Sequence, residues 1–184
     1  MKVPLTPLRG ERVVLRPPVP DDYPVLFDWY SDPELVAPFD RYSEESWESF
    51  VASFASAEAD PASLAVRYVV ERQSDARLVG CVGFYAPHPV LEYWDVWYLI
   101  GEPSARGQGL ATEAVRLLVT HLYRSTEVER VGATCDVENV PSERLLERLG
   151  FTREGTLSGA LFHHGRWHDV RVYGTRRATW LARP

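Results

Sequence analysis

Apolar positions alternate with polar ones along some stretches of the chain and recur every three or four residues along others. The switch between the two periods marks the elements. Val66, Tyr68 and Val70 alternate within residues 65–71, and LVGCVGFY follows within residues 77–85. The polar RQSDA between them reads as a turn, so the two runs are expected to pair as an antiparallel hairpin. An earlier strand is expected over residues 12–16, stopped by Pro17 and Pro18. A third run, residues 91–100, is rich in Tyr, Trp, Val and Ile, and Val131, Ala133, Cys135 and Val137 alternate further on. Residues 152–176 hold two more strands around a turn at Gly165.

Helical spacing fills the gaps. Asp21 and Asp22 offer a start for YPVLFDWYSD, and a second helix is expected over residues 43–57, with Ser43, Ser46 and Glu48 at its capped start. Leu110, Ala114, Leu117, Leu118, His121 and Leu122 share one face of an amphipathic helix opened by Gly109 or Leu110. ENVPSERLLERLGF is a shorter helix with Pro141 in its first turn, where a missing N–H costs nothing. Leu145, Leu146 and Leu149 form its apolar face, and Gly150 before Phe151 is a stop signal. The order β-α-α-β-β-β-α-β-α-β-β predicts an α/β (α+β) fold, a mixed sheet of about seven strands with about four helices packed on it.

Composition narrows the function classes only a little. With 184 residues and no repeat, low-complexity tract or linker, a single domain spanning residues 1–184 is expected. No apolar run approaches the length of a bilayer span. The opening MKVPLTPLRGERVVLRP lacks the apolar core of a secretory signal, so a cytoplasmic protein without membrane association is expected. Cys81 and Cys135 stand far apart in strand-like runs, which favours buried free thiols over a disulfide or zinc framework. The net charge of −6 speaks against a nucleic-acid partner and suits a cationic substrate.

The candidate chemistry lies in ARGQGLATEA, residues 105–114. The phosphate loop of nucleotide hydrolases needs G-x-x-x-x-G-K-[ST], and neither the second glycine nor the lysine appears here. The dinucleotide fingerprint G-x-G-x-x-G fails at its third position, where Gly107 and Gly109 are followed by Thr112. What remains is a strand leading through two glycines into a helix. The backbone N–H groups from about Gln108 to Thr112 would then converge on one anionic group, with Arg106 adding a charged contact.

Arg106-Gly107-Gln108-Gly109-Leu110-Ala111 matches [RQ]-x-x-G-x-[GA], and on this motif the chain resembles the GNAT superfamily of N-acetyltransferases. RVVLRPPVPDDYPVLFDWYSDP, ENVPSERLLERLGFTREG and GRWHDVRVYGTRRATW are similar to successive segments of its RimJ/RimL-type branch. The resemblance implies a mostly antiparallel, splayed sheet, acetyl-CoA as donor and a primary amine as acceptor. It implies that the loop, with Thr112, holds the pyrophosphate. The strand end at Tyr98, Leu99, Ile100 and Gly101 would pair with the pantetheine arm, and an N–H near Tyr98 or Leu99 would polarise the thioester. Asp95 is the first candidate for the base that deprotonates the amine, with Glu138 and Glu92 behind it. Many superfamily members use a tyrosine at the position of Leu146. The RimJ/RimL resemblance instead implies Ser142, three residues after Asn139, as partner of the leaving thiol, and Asn139 as a ligand of the pantetheine amide or the helix start. Arg144 and Arg148 are candidates for the nucleotide phosphate.

The acceptor pocket is expected across the sheet from the cofactor, lined by Trp29, Tyr30, Phe84, Tyr93, Trp94 and Trp167, with Asp21, Asp22, Asp28 and Asp32 as a weak attraction for a cation. The resemblance favours a protein N-terminal amine as acceptor, with an aminoglycoside or other small amine as the alternative. A catalytically weak acyl-CoA-binding module is a third reading. His163, His164 and His168 bracket a turn and match no common metal-ligand spacing, so no metal is expected. Exposed strand edges and aromatics make a homodimer reasonable.

Overall fold

The structure, a computed structural model, describes residues 3–36, 46–54, 58–59, 68–88 and 90–183. Ten strands, β1 (Val3–Pro4), β2 (Leu8–Arg9), β3 (Val13–Arg16), β4 (Glu58–Ala59), β5 (Tyr68–Arg72), β6 (Arg77–Tyr85), β7 (Trp94–Leu99), β8 (Arg130–Asp136), β9 (Thr152–His163) and β10 (Arg166–Arg176), are found among them. The helices are α1 (Tyr23–Tyr30), α2 (Pro33–Val36), α3 (Trp47–Phe54), α4 (Leu110–Ser125), α5 (Val140–Leu149) and α6 (Arg177–Leu181). The first and fourth strands form a small ribbon, and the other eight form one sheet in the order β2-β3-β5-β6-β7-β8-β10-β9.

The β5–β6 hairpin forms as the alternation predicts, and β9 and β10 pair around the Gly165 turn. The expected run over residues 91–100 is shorter as a strand, because Tyr93 folds back to donate to the Leu91 carbonyl. Ser46 caps α3 by accepting the Ser49 N–H at 3.2 Å, whereas Ser43 and the last residues of that expected helix lie outside the described residues. The short strands β1, β2 and β4 and the helices α2 and α6 were not legible, since two to five residues carry too little periodicity.

One pairing positions everything that follows. Every neighbouring pair in the large sheet is antiparallel except β7 with β8, which run parallel and touch only at Trp94↔Val131 and Asp95↔Gly132. Beyond that point the two strands diverge, and the far half of β7 has an edge that no strand covers. A central strand must normally satisfy both edges, so the splay opens a backbone site in the middle of the sheet. It is held apart from one side by α4 and α5. Val115, Leu118, Val119 and Leu122 of α4 and Leu146 of α5 are fully buried against the sheet. Burying each such side chain contributes about 1.5–3 kcal/mol. The opposite face carries a smaller core of Tyr23, Leu26 and Phe50 from α1 and α3 under Val69, Cys81 and Leu99.

Candidate active site

The loop between β7 and α4 is built from its carbonyls outward. Glu102 starts a short 3-10 turn by accepting the Ser104 N–H at 3.0 Å, and the Gln108 amide closes it by donating to the Ser104 carbonyl at 2.7 Å. Gly107 and Gly109 then take φ of +73° and +77°, the left-handed region that side chains disfavour. Arg12, at the edge of β3, donates to the carbonyls of Gln108 and Gly109 at 2.8 and 3.4 Å. Its backbone N–H and Nε hold the Glu113 carboxylate at 2.9 and 3.0 Å. Burial works against ionisation of Glu113, yet the Arg12 contacts prevail and hold its carboxyl below the ordinary range. With the carbonyls tied back, the N–H groups at the start of α4 are left to face outward; the first N–H that bonds within the helix is that of Glu113. Arg12 escaped the sequence reading because its role is set by a contact about a hundred residues away. Arg106 braces the loop, donating to the carbonyls of Ile100 and Gly101 at 3.1 Å each.

From this loop a cavity of about 890 Å³ runs through the splay toward α1 and α2. Its walls include residues 96–100 of the β7 side, Thr134, Cys135 and Asp136 of β8, and Arg106, Gly107, Gly109, Leu110, Ala111 and Thr112 of the loop and helix start. Asn139, which caps α5, and Ser142, Arg144 and Arg148 of α5 line it too, as do Tyr30, Tyr85, Trp97 and Leu161. The predicted cofactor residues Tyr98, Leu99, Ile100, Asn139 and Ser142 thus come together with the loop. Gln108 stands beside the cavity, with its side chain spent on the turn. An anionic group fits this space: a Cβ added at Gly107 would meet nothing within 4 Å, and Arg106, Arg144 and Arg148 are among the lining residues.

The hydroxyls of Tyr98 and Ser142, two of the lining residues, lie 2.5 Å apart. Asn139, not Ser142, caps α5, accepting the Ser142 N–H at 3.1 Å, so the Ser142 hydroxyl is free for Tyr98. Burial drives the Tyr98 phenol well above its ordinary value, only partly offset by Ser142, and it keeps its proton at neutral pH. The sequence singled out Tyr98 for its backbone and missed this hydroxyl. Leu146, the position where the resemblance would place a tyrosine, is fully buried core. Cys135 also lines the cavity; burial pushes its thiol up to about 11, so it is not a thiolate nucleophile.

The predicted carboxylates sit elsewhere than expected. Asp95 is buried at the closed end of the splay, its Oδ1 against Gly132, and it does not line the cavity. Burial raises its pKa to about 6, with Arg130 lowering it and Glu154 raising it. A raised carboxyl pKa means stability that is full below the unfolded value near 3.9 and is lost as pH rises through about 6. The loss amounts to about 3 kcal/mol at most. Asp95→Asn is therefore expected to melt later than the parent at pH 8 by on the order of 5 °C more than at pH 4, read from thermal unfolding at both pH values. An equal difference at the two pH values would show that Asp95 ionises in the fold without cost. Glu138 projects into solvent, more than half exposed and bound by Arg166 at 2.8 Å, and Glu92 is exposed. Among the described residues the carboxylate that lines the cavity is Asp136, which closes β8 and was not foreseen. His163 Nε2 lies 2.5 Å from its Oδ2, and His168 Nδ1 lies 3.1 Å from the same oxygen.

Of the expected pocket aromatics, Tyr30 lines the cavity and the others do not. Phe84 and Trp94 stack on each other at 4.9 Å inside the core. Trp29 packs its ring on Gly101, where any side chain would collide with it. Tyr93 lies under the Arg130 guanidinium, 5.3 Å away, and Trp167 is 65% exposed on the outer hairpin. Large aromatics are core more often than ligand wall, and here the sheet face decided which. The acidic run is structural too: Arg16 grips Asp22 at 2.7 and 2.9 Å, and Asp32 accepts the Glu34 N–H. No helix among the described residues is long and apolar enough to cross a membrane.

Comparison with known proteins agrees with this geometry. Residues 12–152 match the family described as the Acetyltransferase (GNAT) domain. The uncharacterized N-acetyltransferase YoaA of Bacillus subtilis is 27% identical over 169 residues, covering 90% of this chain and 94% of its own. A ribosomal-protein-serine acetyltransferase of Escherichia coli is 32% identical over 96 residues, 52% of this chain and 53% of its own. The fold superposes on spermidine N-acetyltransferase from Vibrio cholerae, solved with CoA and spermine, at a TM-score of 0.79 and 19% identity, covering 94% of this chain and 99% of that one. A splayed mixed sheet, a glycine loop opening a helix inside the splay and a family match over most of the chain converge on one conclusion: this protein belongs to the GNAT acetyltransferase family.

Proposed function

We propose that the protein transfers an acetyl group from acetyl-CoA to the N-terminal amine of a polypeptide, as in the RimJ/RimL-type branch. Bound acetyl-CoA would supply an activated thioester. The loop N–H groups and Arg106, Arg144 and Arg148 are suited to its phosphates. Leu99 turns its carbonyl toward Gly80 of β6, and the alternation along a strand then leaves the Tyr98 N–H facing the gap. That N–H is placed to polarise the thioester carbonyl, a contribution of roughly 3–4 kcal/mol for one preorganised donor. The Tyr98–Ser142 hydroxyl pair is suited to protonate the departing sulfur.

The choice of acceptor rests on one observation. The cavity wall carries a lone carboxylate among the described residues, Asp136, set among apolar and aromatic groups. A polycation such as an aminoglycoside or polyamine spreads several ammonium charges, each of which needs a partner when desolvated. A single α-amine needs one. The ribosomal-protein-serine acetyltransferase is a relative whose name fits this reading, while the spermidine enzyme shares only the fold. Thiol release measured with N-terminal peptides, spermidine and an aminoglycoside is expected to give kcat/KM at least tenfold higher for peptides. A polyamine or aminoglycoside preferred by the same margin would reverse the assignment, and no turnover with any amine would favour the acyl-CoA-binding module.

A further inference from the structure

The cavity-lining carboxylate is the first member of a chain of contacts that leads out of the protein. Asp136 is 3% exposed, and its Oδ1 accepts the Glu138 N–H at 2.6 Å. Its Oδ2 meets His163 Nε2 at 2.5 Å. His163 Nδ1 lies 2.9 Å from His164 Nδ1, and His164 Nε2 lies 3.2 Å from Glu34 Oε1 of α2. Exposure rises along the chain, with side chains 3, 10, 52 and 79% exposed from Asp136 to Glu34. His164 is held in the left-handed region, φ +49°, next to Gly165 at +74°. That tight turn presents two consecutive histidines with their rings edge to face.

We propose that Asp136 and His163 together accept the proton of the acceptor ammonium, and that His164 is the outlet through which it reaches solvent beside Glu34. This rests on the amine-acetylation reading above. The proton leaves the ammonium as R–NH3+ becomes R–NH2, enters at Asp136 and is shared with His163 Nε2. A hydrogen passes from His163 Nδ1 to His164 Nδ1, and another leaves His164 Nε2 for water. One proton moves from amine to solvent and both rings end in the other tautomer. The freed nitrogen lone pair forms the new N–C bond as the C–S bond breaks, and the second proton lost from nitrogen balances the one that the Tyr98–Ser142 pair gives to the departing sulfur.

The remaining groups around the pair are positioning residues. His168 of β10 stacks on His163 at 3.6 Å and is itself buried, which fixes the tilt of the His163 ring. Glu138 approaches His168 Nδ1 at 3.5 Å but is neutralised by Arg166. The net field at His163 is therefore that of Asp136, with Glu34 at the solvent end.

The experiment uses the full chain with an acceptor that the parent protein turns over, which establishes the amine reading independently of the relay. His163→Gln is expected to lower kcat by 10²–10⁴-fold at pH 7, to abolish the acid limb of the pH–rate profile, and to leave acetyl-CoA affinity unchanged. His164→Gln, at a solvent-exposed turn and with a melting curve to check its fold, is expected to lose roughly three- to tenfold in kcat and to recover with added imidazole buffer. In the free protein, histidine NMR titrations should show His163 and His164 shifting together, and Asp136→Asn should uncouple them. Independent titration of the two rings, or a His163→Gln enzyme with the parent pH profile, would overturn the proposal.

Discussion

Gly109→Val is expected to weaken acetyl-CoA binding by at least about 100-fold while leaving the protein folded. Gly109 caps α4 at φ +77°, and a β-branched residue there costs about 1–2 kcal/mol in backbone strain alone. Its Cβ would stand 3.4 Å from Arg12 Nη2, so the added methyl groups press on the guanidinium that ties back the Gln108 and Gly109 carbonyls. Relief of either strain turns the loop and scatters the N–H groups that should converge on the pyrophosphate. The hydrophobic anchoring of α4 is untouched, because its buried face begins at Leu110 and runs to Tyr123. Calorimetric titration with acetyl-CoA, beside a melting curve, checks both halves. Gly155→Ala is the control, since a Cβ at that position meets nothing within 4 Å and lies on an outer strand. Binding by Gly109→Val within threefold of the parent would remove the loop from the site.

The second large effect is expected at the hydroxyl pair. Tyr98→Phe and Ser142→Ala should each lower kcat by 10–10³-fold with KM for acetyl-CoA changed less than threefold. A proton on the leaving sulfur is needed only as the C–S bond breaks, so its loss appears in kcat and not in binding. Groups that act as a unit are not additive, and the double variant should be no more than about threefold slower than the slower single one. Burial holds the Tyr98 proton far above neutral pH, so the basic limb of the rate profile below about pH 9 should be the same in Tyr98→Phe and the parent. Additive losses in the double variant would mean that the two hydroxyls serve separate steps. A raised KM with kcat intact would make them binding residues.

The sequence by itself determined the local elements and the loop. Helical spacing brings out α4 and α5 because each buries one face, and apolar runs bring out β5 and β6, whose consecutive residues are buried on both faces of the sheet. Gly107, Gly109 and Gly150 are legible because left-handed backbone favours glycine at those positions. Tertiary structure decided the chemistry. Asp95 and Asp136 are alike as aspartates in strand-like runs, yet the parallel contact of β7 with β8 closes over the first and opens beside the second. Phe84 and Trp94 look like pocket aromatics until the sheet turns them into its core. Arg12 meets the loop, and Tyr98 meets Ser142, across 96 and 44 residues of chain. Periodicity reports which face of an element is buried. Which two elements then meet is fixed by strand order and splay, and no local pattern encodes that.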